Sequence, residues 1–257
     1  MVQKNTPELW DTLWDPVSKE EDIFNLKKEE SSIRWRRIEK EVLKKFGSFK
    51  GLKVIELGAG GGTNALLFAL RGSEVYVLDY SSKALKRSQE FFSRHDIKSN
   101  MIMQDALNLD KNLFGKFDVS MSFGLAEHFT GKNRIQIIKS HFDVLNNKGV
   151  SFISVPNKWN IPYRIHKSIF EIIGIWRVGE EYPFSRKELK LISLKLGKNI
   201  NFIGSSFISS LNYINPFQII RKKQIKKNFE MEKIKPQKGN YLDRYLGYAL
   251  VLVGKNS

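Results

Sequence analysis

The stretch Val54–Gly72, VIELGAGGGTNALLFALRG, constrains this chain more than any other. An apolar run leads into four glycines within five residues, Gly58 and Gly60–Gly62, and then into a run of helix formers. Glycine alone adopts positive φ at little cost, so the run reads as a strand, a sharp turn and a helix. A turn of that kind lets a ligand approach bare backbone at a helix N-terminus, where negative charge is favoured.

The rest of the first 156 residues repeats the pattern. SEVYVLD reads as a second strand ending at Asp79, and SSKALKRSQEFFSRH as a serine-capped helix. NMIMQD is a third strand ending at Asp105, FDVSMSF a fourth ending near Phe123, and GVSFISV a fifth running to Pro156. The helix RIQIIKSHFDVLNNKG connects the last two. Strands alternating with helices predict an α/β fold with a doubly wound, mostly parallel sheet. Beyond Pro156 the alternation fails. SRKELKLISLKLG is a helix with Ser185 and Glu188 in capping-box spacing and Gly197 as its stop, and NINFIG and YLGYALVLVG read as a last strand pair, which brings the sheet to seven strands. The forty residues between that pair are long for a connection and predict a lid, a binding loop or a partly disordered insert over 205–245. Ahead of the sheet, SSIRWRRIEKEVLKKFG is an amphipathic helix with Trp35 on its core face, and Trp10 and Trp14 are spaced one helical turn apart. We therefore divide the chain into an N-terminal helical cap (1–50), an α/β core (51–156), and lid segments with a closing strand pair (157–257) of the same domain.

Two fingerprints overlap on the glycine turn. Gly60, Gly62 and Ala65 satisfy G-x-G-x-x-A, the dinucleotide form, and Glu56, Gly58, Gly60 and Gly62 satisfy E-x-G-x-G-x-G, associated with S-adenosylmethionine (SAM). Acids at Glu56, Asp79 and Asp105, the sequence SFGLAEHF after strand four, and the closing strand pair favour the second. On these residues the chain resembles the class I SAM-dependent methyltransferases, a Rossmann-like fold, in particular the small-molecule and lipid enzymes sometimes grouped as type 11. The resemblance covers roughly 51–156 well and the last strands loosely. It implies SAM as cofactor, held by the backbone at Gly58, Gly60 and Gly62, by Asp79 toward the ribose, by Asp105 toward the adenine amino group with Ala106 as apolar cover, by Phe123, and by Glu56 as orienter of the turn or of the SAM ammonium. His128, with Glu127 beside it, is the candidate base at the acceptor. In relatives of the ubiquinone-pathway type an earlier glutamate helps hold a metal. That position is Gly124 here, so no metal is expected. NIPY (Asn160–Tyr163) looks like the N-P-P-Y signature of base and glutamine methylation, but it follows strand five rather than strand four.

Composition bounds the rest. With no cysteine, disulfides, thiolate metal sites and cysteine nucleophiles are excluded, and the four histidines are scattered. No run approaches the ~18 apolar residues of a membrane span, and the N-terminus lacks a signal-like apolar core, so a cytoplasmic protein is expected. The net charge of +16 is concentrated beyond Pro156, where 19 basic residues face 7 acidic ones. Within that half, Gln218–Lys238 mixes eight basic residues with Ile219, Ile220, Ile225 and Phe229. That mixture suits an anionic membrane surface or a phosphorylated amphiphile, whereas charge alone leaves RNA open as an acceptor. The resulting expectation is methyl transfer to a small-molecule or lipid-like acceptor, peripheral to a membrane in the lipid case, with an RNA methyltransferase or a non-catalytic SAM-binding scaffold as the alternatives.

Overall fold

In β1 (Lys53–Leu57) the strand period of two sends Val54 and Glu56 to one face and Ile55 and Leu57 to the other. Both faces are covered, so every residue after Lys53 is buried. The computed structural model describes residues 5–14, 17–214 and 234–256. Within them the sheet has seven strands in the order β3-β2-β1-β4-β5-β7-β6. From the edge strand β3 (Asn100–Met103) through β2 (Glu74–Asp79), β1 and β4 (Phe117–Phe123) to β5 (Leu145–Pro156), successive strands pair in parallel. The final β7 (Ala249–Lys255) enters antiparallel between β5 and β6 (Asn199–Gly204).

On the Val54 face lie α3 (Ile33–Phe46), α4 (Thr63–Ala69) and α5 (Ser82–Ser93), which contribute Trp35, Ile38, Phe68 and Phe92 to a single core with β1 and β2. On the other face α6 (Gly131–Asp143) and α8 (Arg186–Lys195) contribute Ile137, Ile138, Phe142 and Leu189. The expected caps are in place at α5, where the Ser81 hydroxyl accepts from Ala84 N, and at α8, where Ser185 accepts from Glu188 N; α3 is also capped, by Ser32 accepting from Trp35 N, and closed by Gly47 at φ 74°. Glu188 does not complete a capping box, because its carboxylate pairs with Arg134 on α6 at 2.6 Å.

Several boundaries differ from the sequence expectation. α6 stops at Asp143 and β5 starts at Leu145, which pairs with Phe117 across a register shift, so NNKG belongs to a strand. β3 ends at Met103, leaving Asp105 two residues beyond it. Trp10 lies in α1 (Pro7–Asp11), and Trp14 is past its end. Two helices escaped the sequence reading. α2 (Lys19–Glu30) has little segregation of apolar residues, and it is fixed by Asp22, which is buried between Arg87 and Arg94 of α5. α7 (Ile161–Ile172) is where NIPY lies: Asn160 caps it by accepting from Tyr163 N, and Pro162 fits its first turn. The expected lid over 205–245 contains the short helix Phe207–Ser210, a single tighter turn at Leu211–Ile214 and the short helix Asp243–Leu246. Positions 215–233, and with them most of the basic Gln218–Lys238 segment, lie outside the described residues.

Candidate active site

In a doubly wound sheet, ligands bind beyond the carboxyl ends of the strands, where the strand order reverses. The reversal here lies between β1 and β4, and a cavity of about 700 Å³ opens at that point. Its floor is Gly58, Ala59 and Gly60 after β1, its sides are Asp79 and Tyr80 after β2, Gln104–Leu107 after β3 and Phe123–Leu125 after β4, and Trp10 and Trp14 border it from the N-terminal segment.

The turn is built as its glycines require. Gly58, Gly60 and Gly62 have φ of 59°, 54° and 69°. A Cβ on Gly60 would stand 2.3 Å from the Trp14 ring, and one on Gly58 2.5 Å from Leu125. Gly62 does not border the cavity; it caps α4 and faces Ser88 and Phe92 of α5. Because a glycine cap offers no side-chain acceptor, the N-terminus of α4 is served from the sheet: Glu56 Oε2 accepts from Ala65 N at 2.8 Å. Burial pushes the Glu56 carboxyl up to about 8, against the pull of the Ala65 N–H and the Arg34 charge. Glu56 also lies off the cavity.

Asp79 does border it. Its Oδ2 accepts from Gly60 N and its Oδ1 from Ser81 N, both at 2.9 Å, so one carboxylate holds the glycine turn to the start of α5. Burial raises its pKa, and these N–H groups work the other way. Asp105 accepts from Leu107 N at 2.9 Å and from Asn108 Nδ2 at 3.2 Å, and Ala106 is buried beside it. Phe123, at the end of β4, carries the Arg34 guanidinium over its ring at 4.8 Å.

The same cavity is also lined by Glu127 and His128, in a single tight turn after β4. His128 Nδ1 meets the Glu180 carbonyl at 2.8 Å, and since a carbonyl only accepts, the neutral ring carries its proton there. Burial lowers the His128 pKa to about 4, although the Glu180 and Gly124 carbonyls favour the protonated form. Trp10 stands edge-on to the ring at 4.7 Å, and Asn5 Nδ2 donates to the backbone carbonyls of both His128 and Glu180, so the N-terminal segment straps this part of the site. Glu127 is 2% exposed and its Oε2 has no hydrogen-bond partner among the described residues. Burial first, and then the nearby Glu181, raise its pKa well above the usual carboxylate range.

Glu181 is the residue that sequence reasoning missed. It follows α7 by nine residues in an irregular segment, with no motif to mark it. The fold brings it to Glu127 and His128, so that donor atoms of the three lie within 4.8 Å of one another, close enough for one cation, where no metal-binding residues were expected. Tyr163 of α7 donates its hydroxyl to Glu181 and packs against Trp176, Tyr213 and Tyr248. Among the aromatic residues of the segments added to the sheet, Trp10 and Trp14 border the cavity, Trp176 and Tyr163 stand behind its wall, Phe184 is core, and Trp159 and Tyr182 face outward. A second, polar cavity of about 470 Å³, lined by Arg34, Asn64, Ser206 and Tyr213 among others, shares Phe123 and Tyr248 with the first.

Residues 54–149 match the family model described as a methyltransferase domain. No curated protein matches the sequence. Among solved structures, magnesium protoporphyrin IX methyltransferase from Synechocystis PCC 6803, solved with bound SAH, superposes with a TM-score of 0.60 at 16% identity, covering 97% of this chain and 93% of that one. The PH0226 protein of Pyrococcus horikoshii OT3 gives 0.59 at 17% identity over 87% and 90% of the two chains, and a SAM-dependent methyltransferase from Archaeoglobus fulgidus 0.54 at 18% over 86% and 93%. The chain therefore resembles a methyltransferase domain over residues 54–149 and shares the fold of these methyltransferase structures.

Proposed function

We propose that the chain transfers the methyl group of SAM to a small-molecule or lipid-like acceptor by in-line displacement. The observation that supports this reading best is the sharing of one 700 Å³ cavity by two sets of groups: the glycine turn with Asp79 and Asp105, and the cluster of Glu127, His128 and Glu181. In this reading the first set holds the cofactor. Bare backbone at Gly58 and Gly60 meets the methionine portion, Asp79 accepts from the ribose, and Asp105 with Ala106 and Phe123 borders the adenine. Glu56 and Gly62 act from behind by shaping the turn. SAM brings its methyl group already activated on a sulfonium, so the protein's part is to align the acceptor, exclude water and take a proton. Glu127 and His128 are the residues for that part, and Asn5, Trp10 and Trp14 of the N-terminal segment border the site. Incubation with methyl-labelled SAM and separate lipid, RNA, protein and metabolite fractions of a cell extract tests the reading: label is expected in the metabolite or lipid fraction, and label confined to RNA, or to none, contradicts it.

A membrane-peripheral form of this reading is favoured by α7. Its outward face presents Ile161, Ile165, Ile169 and Ile172 at helical spacing, with Trp159 before them and Arg164 among them. An exposed apolar stripe with a basic residue on a strongly basic chain suits an anionic lipid surface. No helix among the described residues is long and apolar enough to cross a membrane. Co-sedimentation with anionic vesicles and not with neutral ones is expected, with Ile165→Ser and Ile169→Ser weakening it. Equal recovery with both vesicle types, or with neither, removes the membrane form.

A further inference from the structure

Glu127 and Glu181 both line the cavity, and among the described residues no basic side chain forms an ion pair with either. The basic residues nearby are engaged elsewhere: Arg34 with Glu29 at 2.8 Å, Arg134 with Glu188 at 2.6 Å, and Lys167 with Glu171. Glu127 Oε2 is buried with no partner among the described residues, and an unsatisfied buried carboxylate oxygen is costly unless a ligand completes it. We propose that the acceptor presents a protonated amine to Glu127, Glu181 and His128, and that its nitrogen is the atom methylated. The proposal rests on the methyl-transfer reading above and names the substrate class at its acceptor end.

The spacing accommodates a nitrogen. Three acceptors, each ~2.8 Å from one tetrahedral nitrogen, lie about 4.6 Å apart. The three donor groups here span up to 4.8 Å. The walls agree, since Trp10 stands against His128 and both Phe123 and Tyr248 border the cavity, and aromatic faces attract organic cations. With its proton committed to the Glu180 carbonyl at Nδ1, the neutral His128 ring keeps its acceptor lone pair on Nε2. In the reaction one N–H proton passes to a Glu127 oxygen. The freed nitrogen lone pair forms the N–CH3 bond, the C–S bond breaks, and its electron pair neutralises the sulfonium to leave S-adenosylhomocysteine (SAH). The product is a methylated ammonium, and the proton on Glu127 leaves to solvent.

The probes are hexylammonium and hexyltrimethylammonium against hexanol and hexanoate, titrated by calorimetry and tryptophan fluorescence at pH 7.5. Each titration is run with SAH and without it, so that a failure of SAH to bind counts against the cofactor reading while the cation site is still judged. Both cations are expected to bind at least ten-fold tighter than hexanol. Glu127→Gln and Glu181→Gln should each weaken the cations ten-fold or more while leaving SAH affinity unchanged. Glu127→Gln should melt no lower than the parent, because it removes a buried carboxyl and keeps its shape, and that melt separates loss of the site from loss of the fold. Hexanol binding as tightly as hexylammonium, or cation affinity unmoved by both substitutions, overturns the proposal. So does a site that takes Mn2+ or Zn2+ in a Glu127-dependent way while ignoring both organic cations.

Discussion

Replacing Asp79 by alanine removes two hydrogen bonds to buried backbone, from Gly60 N and from Ser81 N, both 2.9 Å long. A hydrogen bond to a charged group is worth ~1.5 to 3 kcal/mol net, which sets a ceiling of about 6 kcal/mol for the pair. Two effects reduce it. Burial already raises the Asp79 pKa, so part of the gain offsets the cost of holding a charge there, and Gly60 borders the open cavity, where water can replace the lost acceptor. A destabilisation of about 2 to 3 kcal/mol remains. At ~2 to 4 °C per kcal/mol for a chain of this size, the melting temperature should fall by about 5 to 10 °C. In the proposed function the same carboxylate accepts from the cofactor ribose, so SAM affinity should fall by at least ~2 kcal/mol, about thirty-fold in Kd. Asp79→Asn keeps the shape and one acceptor oxygen, and should recover part of the melting temperature and less of the affinity. Calorimetry with SAM and thermal melts on both variants are the assays. An Asp79→Ala protein with the parent's melt and the parent's SAM affinity would refute the reasoning.

Four further outcomes are expected. Gly60→Ala places a Cβ at φ 54° against Trp14, so it should cost ~1 to 2 kcal/mol in backbone strain alone and displace the indole; an unchanged melt and near-ultraviolet dichroism would contradict this. His141, fully buried on α6, contacts the Ile137 carbonyl through Nδ1 and the Ser122 hydroxyl through Nε2, and burial lowers its pKa to about 4. Since the unfolded chain takes up a proton near pH 6.5 and the folded one does not until about 4, stability should fall as pH drops through that window, by ~3 kcal/mol for this residue, and His141→Gln should flatten the loss. Glu56 has the opposite sign: its folded pKa is about 8, so its contribution is complete below about 4.5 and is lost as pH rises through 8, and Glu56→Gln should reduce the fall in melting temperature between pH 6 and 9. His128→Ala should lower the methylation rate ~100-fold with SAM affinity nearly intact, and a fully active variant would remove His128 from the chemistry.

What the sequence disclosed and what it hid divide along the range of the interactions involved. The glycine turn, the strand ends at Asp79 and Phe123, and the Ser81 and Ser185 caps are local statements of backbone geometry, and each is readable within a window of a few residues. Glu56 was visible as an acid in the motif, but its bond to Ala65 N needs the strand face and the helix start at once, so its place behind the turn could not be read. α2 was hidden because the burial of Asp22 comes from Arg87 and Arg94, more than sixty residues away. Glu181 was hidden for the same reason. It has no motif, and its meaning comes from Glu127 and His128 of another loop and Tyr163 of a helix that sequence alone did not resolve.

The central claim is that the cavity at the ends of β1, β2 and β4 holds SAM. The most direct measurement is calorimetric titration of the protein with SAH and, separately, with NAD, repeated on Asp79→Ala and on Asp105→Ala. The account predicts one SAH site per chain, weakened about ten-fold or more by either substitution, and no comparable binding of NAD. Tight NAD binding with no heat from SAH, or SAH affinity indifferent to both aspartates, would contradict it.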